Sequence, residues 1–521
     1  MPRYFNTAGP CRPDQHYMLP PERRLPGVLP LIVRGQYFVV HAPRQSGKTT
    51  LFRTLAESLT AEGRYAALLT TCETGQTLEK DLDGAMNAVL QTLRQKAGES
   101  LPADLQPPDP DPSLSPRTRL YDLLARWSRQ SSRPLVLFLD EIDALVGDTL
   151  NSVLRQLRAG YDVRPQGFPH AVALIGLRDV RDYRLAMRSD APSLGTASPF
   201  NIKVESLTLP NFTAAEVTEL YQQHTDETGQ LFTPQAKALA WELTRGQPWL
   251  VNALARQAVE VIVPDPVQPV GVEEIEAAKE KLVQRRDTHL DSLIDRLRDP
   301  RVRRIIEPIL AGEMLSAEVM DDDVQLALDL GLVVSGQRGL EIANPIYREV
   351  IPRALTSVLE RSLPLPRASY VAPDGRLRFD LLLGDFRAFW CEHAESFLAK
   401  APYSEAAAQL IFMAFLQRVV NGGGFIDREL AVGSGRVDLC VRWPHPAGVE
   451  RWAVELKVWR AGQADPLASG LRQLDEYLQR LGLDRGTLVL FDLRPNALPI
   501  PERCSIQETE FEGRRITVAR L

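Results

Sequence analysis

The segment Ala42-Pro43-Arg44-Gln45-Ser46-Gly47-Lys48-Thr49-Thr50 lies between an apolar, β-prone run (residues 36–41) and a helical pattern. In such a loop successive backbone N–H groups surround phosphates, the lysine neutralises their charge, and the next hydroxyl residue holds magnesium. The segment therefore predicts a phosphate-binding loop (P-loop), with nucleotide contacts from Arg44, Gln45, Ser46, Gly47, Lys48, Thr49 and Thr50. Ala42 stands where the usual pattern has a glycine. Because alanine tolerates positive φ poorly, we expect this loop to open slightly differently.

An acidic pair follows a continuous apolar run, residues 134–139, which is typical of a strand buried on both faces. Asp140 is predicted to hold magnesium together with Thr49, and Glu141 to orient or activate the attacking water. The alternative is that both acids only cap the next helix. The P-loop upstream favours the nucleotide role.

The order of patterns along the chain predicts a multidomain α/β protein. Strands alternate with helices through the first ~200 residues, which predicts a parallel sheet covered by helices. Helical patterns follow, and residues 290–355 have the outline of a winged helix with a small hairpin. We predict a P-loop core at 1–210, a helical lid at 211–285, a winged helix at 286–357, a linker at 358–375 and a second α/β domain at 376–521.

Several stretches of the first ~355 residues resemble a bacterial AAA-like ATPase family related to the STAND class of signal-transducing P-loop ATPases. They are residues 5–10 (FNTAGP), 16–17 (HY), 43–50 (PRQSGKTT), 176–179 (GLRD) and 246–250 (GQPWL). Nothing resembles the full motif series of a helicase. The resemblance therefore favours a nucleotide switch or a slow ATPase over a processive motor.

This resemblance also implies cofactors and site residues. The cofactors are ATP and Mg²⁺. His16 and Tyr17 would lie near the adenine, and Pro248 of the lid would lie near the nucleotide. Arg178 occupies the position of a sensor after the fourth strand, and the alternative is a surface arginine at a strand end. An arginine finger cannot be assigned; Arg155, Arg158 and Arg164 are candidates only because they follow the acidic pair.

A second constellation of charged residues lies near the C-terminus. Asp438 stands in a predicted strand, and Glu455 and Lys457 lie at i and i+2 of the next, so both point to one face. A charged pair on a mostly apolar strand needs a reason, since unpaired buried charges are costly. Metal-assisted phosphodiester cleavage needs such carboxylates, and oxygen ligands suit Mg²⁺ or Mn²⁺. A structural salt bridge is the alternative.

Residues ~400–495 resemble the PD-(D/E)XK nuclease superfamily, whose members have a restriction-endonuclease-like α/β domain. The resemblance implies that Asp438 and Glu455 bind metal, and that Lys457 positions the nucleophilic water or stabilises developing charge. An inactive relative of the same fold is the alternative.

Four further residues are candidates through this resemblance. Gln473, four residues before Tyr477 on a predicted helix, matches the RecB-like branch, where a Gln and a Tyr approach the active site. A subset of the superfamily carries another acidic residue, for which Glu405 is preferred and Glu429 is the rival.

Composition sets limits on these predictions. The 521 residues are 44% hydrophobic, and the apolar runs are shorter than the ~18 residues that span a bilayer. The five cysteines are scattered, which argues against a zinc ribbon or a disulfide framework and favours the cytoplasm. The net charge of −6 does not by itself indicate nucleic-acid binding.

Together these patterns predict a nucleotide-regulated, Mg²⁺-dependent DNA nuclease without a membrane segment. DNA and further copies of the chain are the predicted partners, and defence against phage or plasmids is a further hypothesis. The alternatives are an ATP-dependent nuclease of DNA repair, recombination or mobile elements, and a scaffold that binds nucleotide and DNA without cleavage.

Overall fold

The computed structural model describes residues 3–76, 81–178, 203–285, 293–310, 315, 321–336, 339–362, 370–400, 407–420, 424–432 and 435–521. The chain forms two compact units, residues 1–289 with 319–334 and residues 290–318 with 335–521. Each unit has its own sheet, with an apolar core on each face of that sheet. The domain boundaries given above remain predictions.

The first unit is built on a five-stranded parallel sheet of order β2–β3–β4–β1–β5. The strands are β1 Tyr37–His41, β2 Ala66–Thr71, β3 Leu135–Asp140, β4 Ala171–Gly176 and β5 Lys203–Thr208. Alternate residues enter different cores, for example Val39 and Leu137 on one face and Phe38 and Phe138 on the other. Burial on both faces explains the continuous apolar runs, and the predicted parallel sheet is confirmed.

Helices cover both faces of this sheet. They are α1 Pro21–Arg24, α2 Val28–Val33, α3 Lys48–Ala61, α4 Leu82–Ser100, α5 Arg119–Gln130 and α6 Gly147–Ala159. Helix α3 follows β1 through the P-loop and packs Phe52 and Leu55 under the sheet. Helix α4 begins where the Asp81 carboxylate accepts a hydrogen bond from the Gly84 N–H.

Four further helices and a π-helical turn complete most of the first unit. They are α7 Ala214–Thr228, α8 Pro234–Thr244, α9 Pro248–Gln257, the π turn Ala258–Ile262 and α10 Val272–Arg285. A capping box between Thr213 and Glu216 starts α7. Between α8 and α9, Gly246 has a φ of 70°, and a Cβ there would lie 1.8 Å from the Phe212 carbonyl oxygen. Only glycine fits this turn.

The segment predicted as a winged helix contains three helices and the predicted hairpin. The elements are α11 Pro300–Leu310, α12 Asp322–Asp329, β6 Val333–Gly336, β7 Gly339–Ile342 and α13 Pro345–Ser362. Strands β6 and β7 form a two-stranded sheet. Helix α12 belongs to the first unit and α13 to the second.

The second unit is built on a six-stranded mixed sheet of order β12–β13–β11–β10–β9–β8. The strands are β8 Phe425–Val432, β9 Gly435–His445, β10 Gly448–Trp459, β11 Arg485–Asp492, β12 Ser505–Phe511 and β13 Arg514–Arg520. β8, β9 and β10 are antiparallel, whereas β10, β11 and β13 run parallel. The helix between β10 and β11 makes the parallel connection.

Two apolar cores lie on opposite faces of the mixed sheet. The helices are α14 Phe379–Lys400, α15 Ala407–Val420, α16 Leu467–Leu481 and α17 Ile500–Arg503. Val454 packs with Trp390 of α14 on one face, and Ala453 packs with Leu474 of α16 on the other. In the part of the chain that the structure describes, no helix has the length and apolar character needed to cross a membrane.

Candidate functional site

Glu455 and Lys457 lie on the face of β10 that packs against α16. Ala453, two residues before Glu455, shares an apolar core with Leu474 and Tyr477 of that helix. The Glu455 side chain is fully buried, and the Lys457 side chain is 24% exposed. The predicted shared face of the two residues is therefore present, with the carboxylate deeper than the ammonium.

A continuous chain of hydrogen bonds runs from Glu455 into α16. Lys457 Nζ donates to Glu455 Oε1 at 2.6 Å and to Gln473 Oε1 at 2.9 Å. Gln473 Nε2 in turn donates to Tyr477 Oη at 2.9 Å. The structure therefore brings together four residues that the sequence analysis singled out, and the glutamine and tyrosine fix the position of the lysine.

Asp438 lies on β9, beside the same part of β10. Its Oδ2 accepts a hydrogen bond from the Leu456 backbone N–H at 2.8 Å. Burial and, second, the Asp438 charge raise the pKa of Glu455 to about 8, although Lys457 acts in the opposite direction. Burial by itself would lower the pKa of Lys457, but the adjacent Glu455 outweighs burial and raises it.

The two carboxylates Glu455 and Asp438 are arranged so that a divalent cation fits between the side chains. Glu455 Oε2 is buried and, among the described residues, has no hydrogen-bond partner. A cation held by Glu455 and Asp438 would satisfy that oxygen, and carboxylate oxygens are the ligands that Mg²⁺ and Mn²⁺ prefer. Within the described residues no group of three His, Cys, Asp or Glu side chains could hold a metal ion. The two acids fit a cation that substrate or water would also have to coordinate.

The P-loop begins as a regular extension of β1. The Ala42 N–H donates to the Gly176 carbonyl oxygen at 3.3 Å, so this alanine continues the pairing between β1 and β4. The residues of the loop with positive φ are Gln45 (58°) and Gly47 (93°). Alanine at position 42 therefore needs no left-handed conformation, and the substitution for glycine is tolerated without strain.

Lys48 lies folded against its own loop. Its Nζ donates to the carbonyl oxygens of Ala42 at 2.7 Å and Pro43 at 2.9 Å. Burial lowers the pKa of Lys48 to about 8, although the charges of Asp140 and Asp143 oppose this. The ammonium is thus held by neutral carbonyl groups, from which a phosphate could withdraw it.

Thr49 and Asp140 are in direct contact, as their predicted shared role requires. Thr49 Oγ1 donates to Asp140 Oδ2 at 2.6 Å. Burial raises the pKa of Asp140, and the Thr49 hydrogen bond and the Lys48 charge oppose that rise. A hydroxyl and a carboxylate oxygen at this spacing are a suitable partial ligand set for Mg²⁺.

Glu141 is held by a residue that sequence analysis did not single out. Thr71, at the end of β2, donates from Oγ1 to Glu141 Oε2 at 2.6 Å. Glu141 has a φ of 55°, so the backbone turns sharply after β3. Thr71 could have been found from the sequence, because it is a polar residue at the end of β2 and parallel strands end at the same edge of the sheet.

Arg178 follows β4 and is buried, which excludes the alternative of a surface arginine. Its Nε donates to Asp329 Oδ2 at 2.9 Å, and the two side chains are 6% and 4% exposed. Asp329 ends α12, and Gln325 of the same helix donates to its other oxygen at 2.8 Å. A Cβ at Gly331 would lie 2.7 Å from Pro43 Cγ, so the end of α12 packs against the P-loop.

The edge of the sheet thus collects the P-loop, an acidic pair after β3 and an arginine after β4. Residues 31–171 match the family model described as AAA ATPase domain. This part of the chain is therefore similar to an AAA ATPase domain. Such a domain binds ATP, usually with Mg²⁺, and its presence supports ATPase activity of the chain.

Comparisons with whole proteins add little to the AAA ATPase domain match. No curated protein matches this chain. A Walker-type ATPase of Pyrococcus abyssi superposes with a TM-score of 0.45 and 14% identity, over 67% of this chain and 99% of that protein. The ORC2 protein of Aeropyrum pernix gives 0.38 at 14% identity, over 65% and 93%. The RuvB Holliday junction branch migration motor of Thermotoga maritima gives 0.34 at 17% identity, over 63% and 92%.

The segment from Cys11 to Tyr17, whose His16 and Tyr17 are predicted to lie near the adenine, lies beside helix α3, which follows the P-loop. The Cys11 N–H donates to Thr50 Oγ1 at 3.0 Å. His16 Nδ1 accepts from the Arg12 N–H at 2.8 Å and so fixes the turn. Tyr17 is buried among aromatic rings, with its hydroxyl 3.3 Å from His224 Nδ1. These contacts of Tyr17 are those of a core residue, and its position near the adenine stays a prediction.

Pro248 stands at the first turn of α9, as proline commonly does. Asn252 Nδ2 donates to the Pro248 carbonyl oxygen at 2.9 Å. The next residue, Trp249, donates from Nε1 to the Thr7 carbonyl oxygen at 2.8 Å. The Trp249 contact ties α9 of the predicted lid to the N-terminal segment, and the position of Pro248 near the nucleotide stays a prediction.

Two further candidates are an arginine finger and a third acidic residue of the nuclease site. Arg164 stacks on Tyr161, with its Cζ 3.5 Å from the ring centre, and donates to the Tyr161 carbonyl oxygen at 2.6 Å. This engagement argues against Arg164 as an arginine finger. Glu405 lies outside the described residues, and for its rival Glu429 only the backbone, in β8, is described. The position of a third acidic side chain therefore stays a prediction.

Proposed function

We propose that this chain is a STAND-like AAA ATPase whose nucleotide state controls a Mg²⁺-dependent DNA nuclease in the second unit. The observation that carries the nuclease proposal is the buried Glu455, paired through one oxygen with Lys457. Its other oxygen has no hydrogen-bond partner among the described residues. A purely structural salt bridge would leave that buried oxygen unsatisfied, which is costly.

The order of elements supports the same proposal. Helix α15 precedes three antiparallel strands, and α16 then connects to the parallel strand β11. Asp438 lies on the second of these strands, and Glu455 and Lys457 lie on the third. The resemblance to the PD-(D/E)XK superfamily implies metal-binding acids at these positions, with Gln473 on a helix after them.

The chemistry follows from the positions of the side chains. Asp438 and Glu455 would hold the cation, which supplies a Lewis acid for the scissile phosphate and lowers the pKa of a bound water. Lys457 then stabilises the charge that develops on the phosphate, and its ammonium is oriented by Gln473. Tyr477 fixes the Gln473 amide so that its oxygen faces the lysine.

Two further parts of the proposal concern context. DNA is the proposed substrate, and assembly of several copies is the proposed route by which ATP exposes or completes the nuclease. A role in bacterial defence is the proposed setting, since a nuclease that waits for a signal suits destruction of foreign DNA. The same chemistry in repair or element mobility would instead depend on DNA ends or structures.

The test is cleavage of supercoiled, linear and single-stranded DNA with Mg²⁺ or Mn²⁺, each without nucleotide and with ATP, ADP or a non-hydrolysable ATP analogue. Three variants accompany the parent: Asp438→Ala, Lys48→Ala and the control Glu476→Ala. Glu476 lies on α16, and its side chain is 65% exposed.

We expect cleavage that disappears in Asp438→Ala, persists in Glu476→Ala, and loses its nucleotide response in Lys48→Ala. Cleavage that survives Asp438→Ala would refute this site. Nucleotide-independent cleavage would refute the coupling but keep the nuclease. Preference for ends in the absence of any trigger would favour the repair or mobile-element function over defence.

A further inference from the structure

Trp459 ends β10 on the same face as Glu455 and Lys457. Side chains alternate along a strand, so residues 455, 457 and 459 form one row. Four residues of strand place Trp459 about 13 Å from Glu455 along β10. The row thus leads from the buried carboxylate to a half-buried aromatic ring at the end of the strand.

Arg494 covers this ring in a fixed position. Its Cζ lies 3.3 Å from the centre of the Trp459 ring. Asp492, directly opposite Trp459 in the β10–β11 register, accepts hydrogen bonds from Arg494 Nε at 2.8 Å and Nη2 at 2.7 Å. Trp459 Nε1 donates to the Gln463 carbonyl oxygen at 3.0 Å. Both planar groups are therefore held in place before any ligand binds.

The stacked pair has the chemistry of a base-stacking platform. The Arg494 side chain is 34% exposed, so part of a planar, positively charged group remains open to solvent. Guanidinium and aromatic planes stack on nucleic-acid bases, and this mode needs bases that are unpaired, because stacked pairs in a duplex cover both faces.

We propose that Trp459 and Arg494 form a platform for an unpaired DNA base, adjacent to the cluster of Asp438, Glu455 and Lys457. The proposal rests on the proposed nuclease function and deepens it by naming the substrate class. That class is DNA with a single-stranded segment, such as a free strand, a frayed end or a gap. The platform holds the strand so that a phosphate a few nucleotides away reaches Lys457.

The experiment measures equilibrium binding by fluorescence anisotropy, with the full chain in EDTA so that no cleavage occurs. The probes are a labelled dT12 oligonucleotide and a labelled 12-base-pair blunt duplex. The variants are Trp459→Ala, Trp459→Phe, Arg494→Lys and the control Arg485→Ala. Arg485 lies at the opposite end of β11, is 63% exposed and stands 5.9 Å from the Trp452 ring, so it matches Arg494 in kind.

We expect Trp459→Ala to weaken dT12 binding about tenfold, because the stacked Arg494 plane loses its support and one base-stacking contact contributes roughly fivefold or more. Trp459→Phe should keep most of the affinity. Arg494→Lys should lose several-fold despite its retained charge, since an ammonium cannot stack. Arg485→Ala should bind like the parent, and duplex affinity should stay unchanged in all four variants. Thermal unfolding by circular dichroism identifies any variant that fails to fold. If Trp459→Ala fails to fold, Arg494→Lys tests the platform in its place.

Equal dT12 affinity of the parent, Arg494→Lys and folded Trp459 variants would overturn the platform. Equal losses for dT12 and duplex would also overturn it, because they would indicate a general phosphate contact. Absence of dT12 binding by the parent is a third refuting result. The nuclease is judged separately, by Asp438-dependent cleavage with Mg²⁺, so either proposal can fail while the other stands.

Discussion

The nucleotide site and the carboxylate–lysine site differ in how their charged groups are satisfied. In the first unit Lys48 donates to loop carbonyls, Thr49 to Asp140, Thr71 to Glu141 and Arg178 to Asp329. In the second unit Glu455 has one oxygen paired with Lys457 and one buried oxygen without a partner among the described residues. A ligand at the first site must replace hydrogen bonds that its charged groups make with the protein. A ligand at the second site would give the buried Glu455 oxygen a partner.

This difference has an energetic consequence. A site whose groups already have protein partners is stable by itself, and its ligand must compete with those partners. A buried carboxylate with a pKa raised to about 8 destabilises the ionised protein around it, so a cation there adds stability directly. The two sites should therefore respond oppositely when a partner is removed or a cation is added.

The largest effect is expected where a partner is removed from the nucleotide site. Asp329→Ala takes away a carboxylate from the buried Arg178 and should lower the free energy of unfolding by about 3–5 kcal/mol. Urea unfolding measures this as an earlier first transition. The double variant Arg178→Met with Asp329→Met removes both charges and should lie close to the parent. A loss below about 1 kcal/mol in Asp329→Ala would mean that the ion pair contributes little.

The next effect is expected where a partner is added to the second site. With Mn²⁺ at about 100 times its dissociation constant and without nucleotide, the parent should gain about 2.7 kcal/mol of stability in the second unit. Asp438→Asn should lose this gain, and Asp140→Asn should keep it. Thermal unfolding with and without Mn²⁺ measures both. If Asp140→Asn alone abolished the gain, the cation would bind at the nucleotide site instead.

A smaller effect is expected from release of Glu141. Thr71→Val keeps the shape of the side chain but removes the hydroxyl that bonds the Glu141 carboxylate. A hydrogen bond to a charged group contributes about 1.5–3 kcal/mol, of which part should appear as a several-fold faster basal ATP hydrolysis. Steady-state phosphate release measures the rate.

Thr70 provides the matched control for this substitution. It precedes Thr71 on β2, and its buried hydroxyl has no hydrogen-bond partner among the described residues. Thr70→Val should therefore leave the ATPase rate unchanged. A slower Thr71→Val enzyme would mean that Thr71 holds Glu141 in its working position rather than away from it.

How much could be predicted from the sequence depends on how far apart in the chain the interacting residues lie. The P-loop, β3 and β10 are local patterns of apolar, glycine and charged residues, and the structure has them within a few residues of the predicted positions. Gln473 was found because a resemblance pointed to it. Asp329 lies 151 residues from Arg178, and no local pattern links them. Tyr17 was assigned by its place in a motif, whereas packing against His224 decides its contacts.

The same limit applies to the stacked pair in the second unit. Trp459 lies two residues after Lys457 in the sequence, but Arg494 joins it only because β10 and β11 are parallel neighbours. Register decides which residues face each other across strands, and register depends on the whole sheet. Sites made by one segment can thus be predicted from sequence, and sites made across strands need the structure.

The smallest effect is expected in the helical part of the first unit, at a buried histidine that belongs to neither candidate site. His224 is buried between Tyr17 and Gln230, whose Oε1 lies 3.0 Å from His224 Nε2. Burial lowers the pKa of His224, although Gln230 and Glu227 oppose this. The unfolded chain therefore binds a proton near pH 6.5 that the folded chain does not, so the free energy of unfolding should fall as pH drops below about 6.5, by up to about 1.4 kcal/mol per pH unit.

The pH dependence of the unfolding free energy tests this between pH 7.5 and 5.5. His224→Gln should show a shallower decline over that interval, because the titrating group is gone. His445→Gln, at the half-buried end of β9, is the control and should follow the parent. If His224→Gln instead declined as steeply as the parent, other groups would control acid stability. The buried His224 would then accept a proton in the folded chain without a measurable loss of stability.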